Sequence, residues 1–142
     1  MKHLFMLSIL LGIYISFTSC AKEDDWSSSV PYASVSIDIQ TQLESDFNRS
    51  LYHKIYPSQG YSGVIVITNE MATSIYAYDL CCPYDMAKVQ MNETSLINIE
   101  CTKCKSTYEL LNNGRVVSGP STERLKQYRN VYKNGNFYRI RN

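Results

Sequence analysis

Histidine is nearly missing from this chain of 142 residues: there are only His3 and His53. Histidine-based triads and histidine-rich metal sites therefore have almost no raw material. Excess charge is missing too. Fourteen Lys and Arg face thirteen Asp and Glu, for a net charge of +1, which excludes the basic surplus of a generic nucleic-acid binder. Apart from Asp24-Asp25 there is no close carboxylate pair to suggest glycoside hydrolysis. No internal repeat or long heptad occurs. The length fits one domain, large enough to bury a core without cross-links. With 44% hydrophobic and 19% charged residues, the composition argues against wholesale disorder.

What is present begins with an address. Met1-Lys2-His3 is a short basic start, and residues 4–17 form an apolar run ending in small Thr18-Ser19 before Cys20. The run is shorter than the roughly 20 residues that span a bilayer and has the layout of a secretory signal. Phe17-Thr18-Ser19-Cys20 resembles a bacterial lipobox, which implies cleavage after residue 19 and lipidation of Cys20. Lys22-Glu23-Asp24-Asp25 reads as a solvated tether; it also resembles the acidic export signal of surface lipoproteins in Bacteroidetes-type bacteria. The expected organisation is a signal peptide over residues 1–19, a lipidated cysteine and tether over 20–36, and a domain over 37–142. Several acyl chains, at about 0.8 kcal/mol per buried CH₂, make a lasting membrane anchor.

The domain reads as all-β with short antiparallel strands. Ser62-Gly63-Val64-Ile65-Val66-Ile67-Thr68 is an unbroken apolar run, and Ser74-Ile75-Tyr76-Ala77-Tyr78-Asp79-Leu80 alternates. A further strand is predicted over residues 95–100. Asn112-Asn113-Gly114 and Lys133-Asn134-Gly135-Asn136 each sit between β-forming stretches and predict hairpins. Helix is expected only over residues 40–51 and in a short turn over 122–127. Of the twelve tyrosines, Tyr52, Tyr56 and Tyr61 form either a sticky surface or part of the core. Charge is uneven: residues 21–100 carry a net −7 and residues 101–142 a net +7.

Beyond Cys20 there are four cysteines in two clusters, Cys81-Cys82 and Cys101/Cys104, with 18 residues between Cys82 and Cys101. Each cluster follows a predicted strand. Two converging thiol-bearing loops are the layout of a metal site or a disulfide. Adjacent residues on a strand point to opposite faces, so joint ligation by Cys81 and Cys82 is awkward.

Cys101-Thr102-Lys103-Cys104-Lys105-Ser106-Thr107-Tyr108 resembles the second ligand loop of Rieske iron–sulfur domains, which runs Cys-x-x-His-Gly-Ser-x-Tyr/Phe. Cys82-Pro83-Tyr84 resembles the first loop, Cys-x-His. Gly114 to Ser121 resembles the segment leading into the family's Pro loop, with Pro120 covering the site. Together with Tyr78-Asp79 before a Cys-Pro, the pattern resembles Rieske-like lipoproteins of Bacteroidetes-type bacteria. The resemblance implies converging cysteine loops on antiparallel sheets, with Ser106 and Tyr108 hydrogen-bonding to cluster sulfur and a cysteine ligand.

The departures govern the chemistry. A Rieske centre is a 2Fe-2S cluster with two Cys on one iron and two His on the other. Here Tyr84 and Cys104 stand at the histidine positions, and Lys105 replaces the Gly that allows close backbone approach. A standard Rieske cluster is not expected. Three readings stay open at this point. The first is zinc on Cys82, Cys101, Cys104 and either Asp85 or Cys81, with two-residue knuckle spacing in both loops. The second is an all-thiolate or Cys₃Asp iron–sulfur cluster on the same residues, at a potential of about −400 mV. The third is a disulfide from Cys82 to Cys101 or Cys104, which a secreted address favours. The expected role is that of an extracytoplasmic lipoprotein of the outer membrane, anchored by lipid and meeting an unidentified protein partner, without catalytic activity. The alternative is a 2Fe-2S electron carrier.

Overall fold

The computed structural model describes residues 28–142. Among the described residues ten strands form: β1 Ser36–Gln40, β2 His53–Tyr56, β3 Val64–Thr68, β4 Ile75–Asp79, β5 Val89–Met91, β6 Asn98–Cys101, β7 Thr107–Glu109, β8 Arg115–Ser118, β9 Asn130–Asn134 and β10 Phe137–Arg141. They form three antiparallel sheets, ordered β1-β10-β9, β2-β3-β4 and β5-β6-β7-β8. The all-β expectation holds.

The unbroken apolar run of β3 has a physical cause: this strand divides two cores. All five of its residues are buried. Side chains alternate along a strand, so Val64 and Val66 face a cluster with Ile37, Ile39, Phe47 and Ile140. Ile65 and Ile67 face the opposite way, onto Tyr78, Ile99, Tyr108, Cys82 and Cys101. The β2-β3-β4 sheet is therefore the middle layer. The second core reaches the cysteines themselves, so the loop sulfurs are rooted in packed interior.

Both predicted hairpins form. Asn134 pairs with Phe137, and Gly135 takes the left-handed φ of 56° that the first turn position requires. Glu109 pairs with Arg115 across a five-residue connection in which Asn113 and Gly114 have φ of 53° and 64°. Only one short 3-10 turn, Ser45–Asn48, forms where helix was expected over residues 40–51. Gln40 already belongs to β1, and buried Phe47 pins the turn to the first core. Residues 122–127 are irregular and reach β4 through a Tyr78–Gln127 bridge.

The fold also begins earlier than the sequence suggests. Val30 and Val35 are buried, Ser29 bonds Glu123, and β1 pairs along its length with β10. Tyr52 and Tyr56 pack against the first core, while Tyr61 is exposed. The signal, the lipobox and Cys20 lie outside the described residues.

Candidate metal centre

Two loops build the site. The first follows β4: Leu80 N–H donates to Gly63 O, and Val89 N–H returns to Leu80 O. This holds residues 82–87 as a tight connection into β5. The second, residues 101–106, joins β6 to β7. The loops are neighbours because β5 and β6 pair, with Val89 opposite Cys101. Thr102 strengthens the junction, its backbone N–H and hydroxyl both donating to Lys88 O at 3.1 and 2.9 Å.

Cys82, Asp85, Cys101 and Cys104 converge there, with one ligand atom from each lying within 4.8 Å of the others. Cys82 Sγ is 3.7 Å from Cys104 Sγ, and Cys101 Sγ is 3.4 Å from Asp85 Oδ1. The four cysteines beyond the tether are free thiols. Cys81 is not among the converging donors. Its sulfur lies 3.7 Å from Met86 Sδ and 3.8 Å from Cys82 O, facing away as strand alternation requires. Tyr84 is 59% exposed and stands outside the group too. His53, the only histidine among the described residues, sits on β2 opposite Ile67.

Two hydroxyls support the sulfurs. The Tyr108 hydroxyl, from β7, is 3.1 Å from Cys82 Sγ. The Ser106 hydroxyl is 3.1 Å from Cys104 Sγ and accepts a 3.0 Å bond from Ser121 N–H. Pro120 itself is exposed, but its neighbours bring this third segment onto the site. Gly119, at φ 96°, lies so close over Ser106 that a Cβ there would fall 2.4 Å from Ser106 Cα. That intimacy left only a weak signal in the sequence, a lone Gly-Pro after a strand.

The electrostatics are graded. Burial pushes the Cys101 thiol up to about 12, against the amides of Cys104 and Lys103. Burial also raises Cys82, opposed by the Tyr108 hydroxyl and the Asp85 and Tyr84 amides. At Cys104 burial acts the same way but is outweighed by Ser106, which leaves the thiol below its ordinary value. For Asp85, burial is outweighed by the Ala87 amide and the three surrounding thiols, so its carboxyl is held low. A bound cation would deprotonate the coordinating thiols outright.

Sequence reasoning missed the backbone of these loops. Met86 and Lys105 adopt φ of 58° and 62°, a conformation that costs L-residues roughly 1–2 kcal/mol. Nothing in their side chains announces it. The Lys105 position is the one where the family resemblance expects glycine.

No curated protein matches the chain at a significant level. The profile of the Rieske [2Fe-2S] domain matches residues 44–129, a stretch that takes in both cysteine loops and the Gly119 segment. With more than half of the chain inside that match, and with two cysteine loops meeting beneath a third segment on antiparallel sheets, this chain belongs to the Rieske domain family.

Proposed function

We propose that the chain is a lipoprotein of the cell envelope, held in the outer membrane through Cys20, whose Rieske-family domain is a non-catalytic structural or protein-binding module. The observation that carries this reading is the donor set: three thiols and a carboxylate converge, with no imidazole among them. In a Rieske centre two neutral imidazoles raise the potential and couple electron to proton transfer. Here the residues at those two places are exposed Tyr84 and thiol-bearing Cys104. The residues therefore do not fit a standard Rieske cluster, and no electron-transfer step is assigned to it.

Full-length protein extracted from membranes without oxygen tests the role. The expected protein is colourless and gives no Rieske-type paramagnetic signal after reduction. Stoichiometric iron and sulfide that vanish in Cys101→Ser would make it an electron carrier instead. The hydroxyls of Ser106 and Tyr108 beside two sulfurs favour that second reading, since such donors tune cluster potentials. The address has its own test. Radiolabelled palmitate should label the wild type and spare Cys20→Ala; equal labelling would refute the anchor.

A further inference from the structure

We infer that the two loops form a closed four-donor site for a single zinc ion, with Cys82 and Asp85 from the first loop and Cys101 and Cys104 from the second. The inference rests on the domain's not being an electron carrier, and it assigns the ion and ligands that this module uses.

The first argument is size. Zinc–sulfur bonds of about 2.3 Å put tetrahedral ligands roughly 3.8 Å apart. The site shows 3.7 Å between Cys82 and Cys104 sulfurs and 3.4 Å between Cys101 Sγ and Asp85 Oδ1, with all four donors inside 4.8 Å. The two short separations match edges of one coordination sphere, and the remaining pairs would close by at most about 1 Å around an ion. A two-iron rhomb holds the ligands of one iron well away from those of the other, across the bridging sulfides.

The second argument is that the loops repeat each other in backbone. In the first, Met86 N–H donates to Cys82 O and Cys82 N–H to Ala87 O, at 2.9 and 2.8 Å. In the second, Lys105 N–H donates to Cys101 O and Cys101 N–H to Ser106 O, at 3.2 and 2.8 Å. The left-handed residue falls at the same place in each, Met86 and Lys105. The two amides before it also repeat their role. Those of Tyr84 and Asp85 face the Cys82 sulfur, and those of Lys103 and Cys104 face the Cys101 sulfur. Each loop is thus a knuckle that presents its cysteine and the third residue after it on one side. That register selects Asp85 rather than Tyr84 in the first loop, just as it selects Cys104 in the second.

The third argument is chemical. A thiolate-rich tetrahedral set suits zinc. Four protein donors leave no open position, the mark of a structural site rather than a hydrolytic one. The Cys104 backbone N–H at the Cys101 sulfur, with hydroxyls beside Cys82 and Cys104, spreads the surplus negative charge of three thiolates and a carboxylate.

Metal and sulfide analysis of the full-length protein, with cobalt(II) titration of the reduced, chelator-treated form, tests the inference. The expected result is one zinc per chain and no sulfide. Cobalt should saturate at one equivalent, with ligand-field bands of tetrahedral intensity and a thiolate charge-transfer band, and zinc should displace it. Asp85→Asn should weaken zinc binding by about 10–100-fold or more, Asp85→Cys should retain it, and Cys81→Ser should leave stoichiometry and spectrum unchanged. Paired iron with sulfide would overturn both the inference and the proposed role. A colourless protein that binds no cobalt, whether as free thiols or as a Cys82–Cys104 disulfide, would overturn the inference alone. Loss of cobalt in Cys81→Ser with none in Asp85→Asn would overturn the ligand set. The wild-type titration reads the outcome even where a variant fails to fold.

Discussion

The loop at Cys82 and the loop at Cys101 share a backbone but differ in what holds it. The second is buttressed by its own Ser106 and by the segment after β8: Ser106 touches Cys104 Sγ, Ser121 N–H holds Ser106, and Gly119 lies directly over it. The first borrows its support. Its sulfur is held by Tyr108, which reaches over from β7, and Asp85 is held by the Ala87 amide beside it. The second hairpin and the segment over it therefore support both sulfur-bearing halves of the site, whereas the first loop holds its own carboxylate and, through Lys88 O, the Thr102 junction. Damage to the second hairpin should spread, and damage to the first should stay local.

The largest expected effect comes from breaking the cover on the second loop. Gly119→Ala puts a Cβ 2.4 Å from Ser106 Cα and 2.6 Å from its Oγ, at φ 96°. Overpacking together with left-handed strain should destabilise the domain by about 2–4 kcal/mol, measured by urea denaturation. A loss below about 0.5 kcal/mol would mean that the segment moves freely off the site.

The next test separates the two supports. Ser106→Ala leaves the Ser121 amide without its partner and should cost about 1–3 kcal/mol. Tyr108→Phe removes the hydroxyl beside Cys82 while keeping the buried ring. Each should weaken metal affinity by about 10–100-fold in chelator competition. If Tyr108→Phe leaves affinity unchanged, the first loop stands without help from β7.

A smaller, opposite effect is expected from relaxing the backbone. Lys105→Gly relieves a φ of 62° at the cost of greater chain freedom when unfolded and an exposed pair with Glu100. A net gain of up to about 1 kcal/mol in thermal or urea unfolding is expected. Met86→Gly should gain less, because Met86 also packs its sulfur on Cys81. Equal gains would show that the two loops are strained alike and supported alike.

How much of this was legible in the sequence depends on the range of the interaction. The all-β class, the buried run of β3 and both glycine-bearing hairpins follow from patterns a few residues long. The strand over Ser36–Gln40 shows only the brief alternation of Ile37 and Ile39, and what fixes it as a strand is pairing with β10, some hundred residues away. The cysteine loops were legible from spacing. The choice between Asp85 and Cys81 was not, since both satisfy the donor chemistry.

The smallest effect is a control remote from both loops. On β1, Asp38 lies 3.0 Å from Arg139 and 2.9 Å from Arg141, and Arg139 first, then Arg141, holds its carboxyl below the ordinary 3.8. The sign follows from linkage: the stabilisation is complete above pH 3.8 and is lost as pH falls through the lower folded value. Asp38→Asn should slightly flatten the acid limb of a stability–pH curve and leave metal affinity untouched. A change in affinity would show that the β1-β10-β9 sheet communicates with the loops.

Sequence alone determined that short antiparallel strands would form and that two thiol-bearing turns would follow two of them. Those features depend on alternation, turn residues and spacing, which are local. Tertiary structure alone decided that Asp85 rather than Cys81 converges with the other three donors, and that Gly119 and Ser121 rather than Pro120 make the contacts of the covering segment. Cys81 and Cys82 alternate on any strand, but only the layering of two cores on either side of β3 directs Cys82 to the site and Cys81 away from it. Asp85 is set by its own short knuckle, but it meets Cys101 only because β5 pairs with β6, and Gly119 reaches Ser106 only through the β7-β8 pairing.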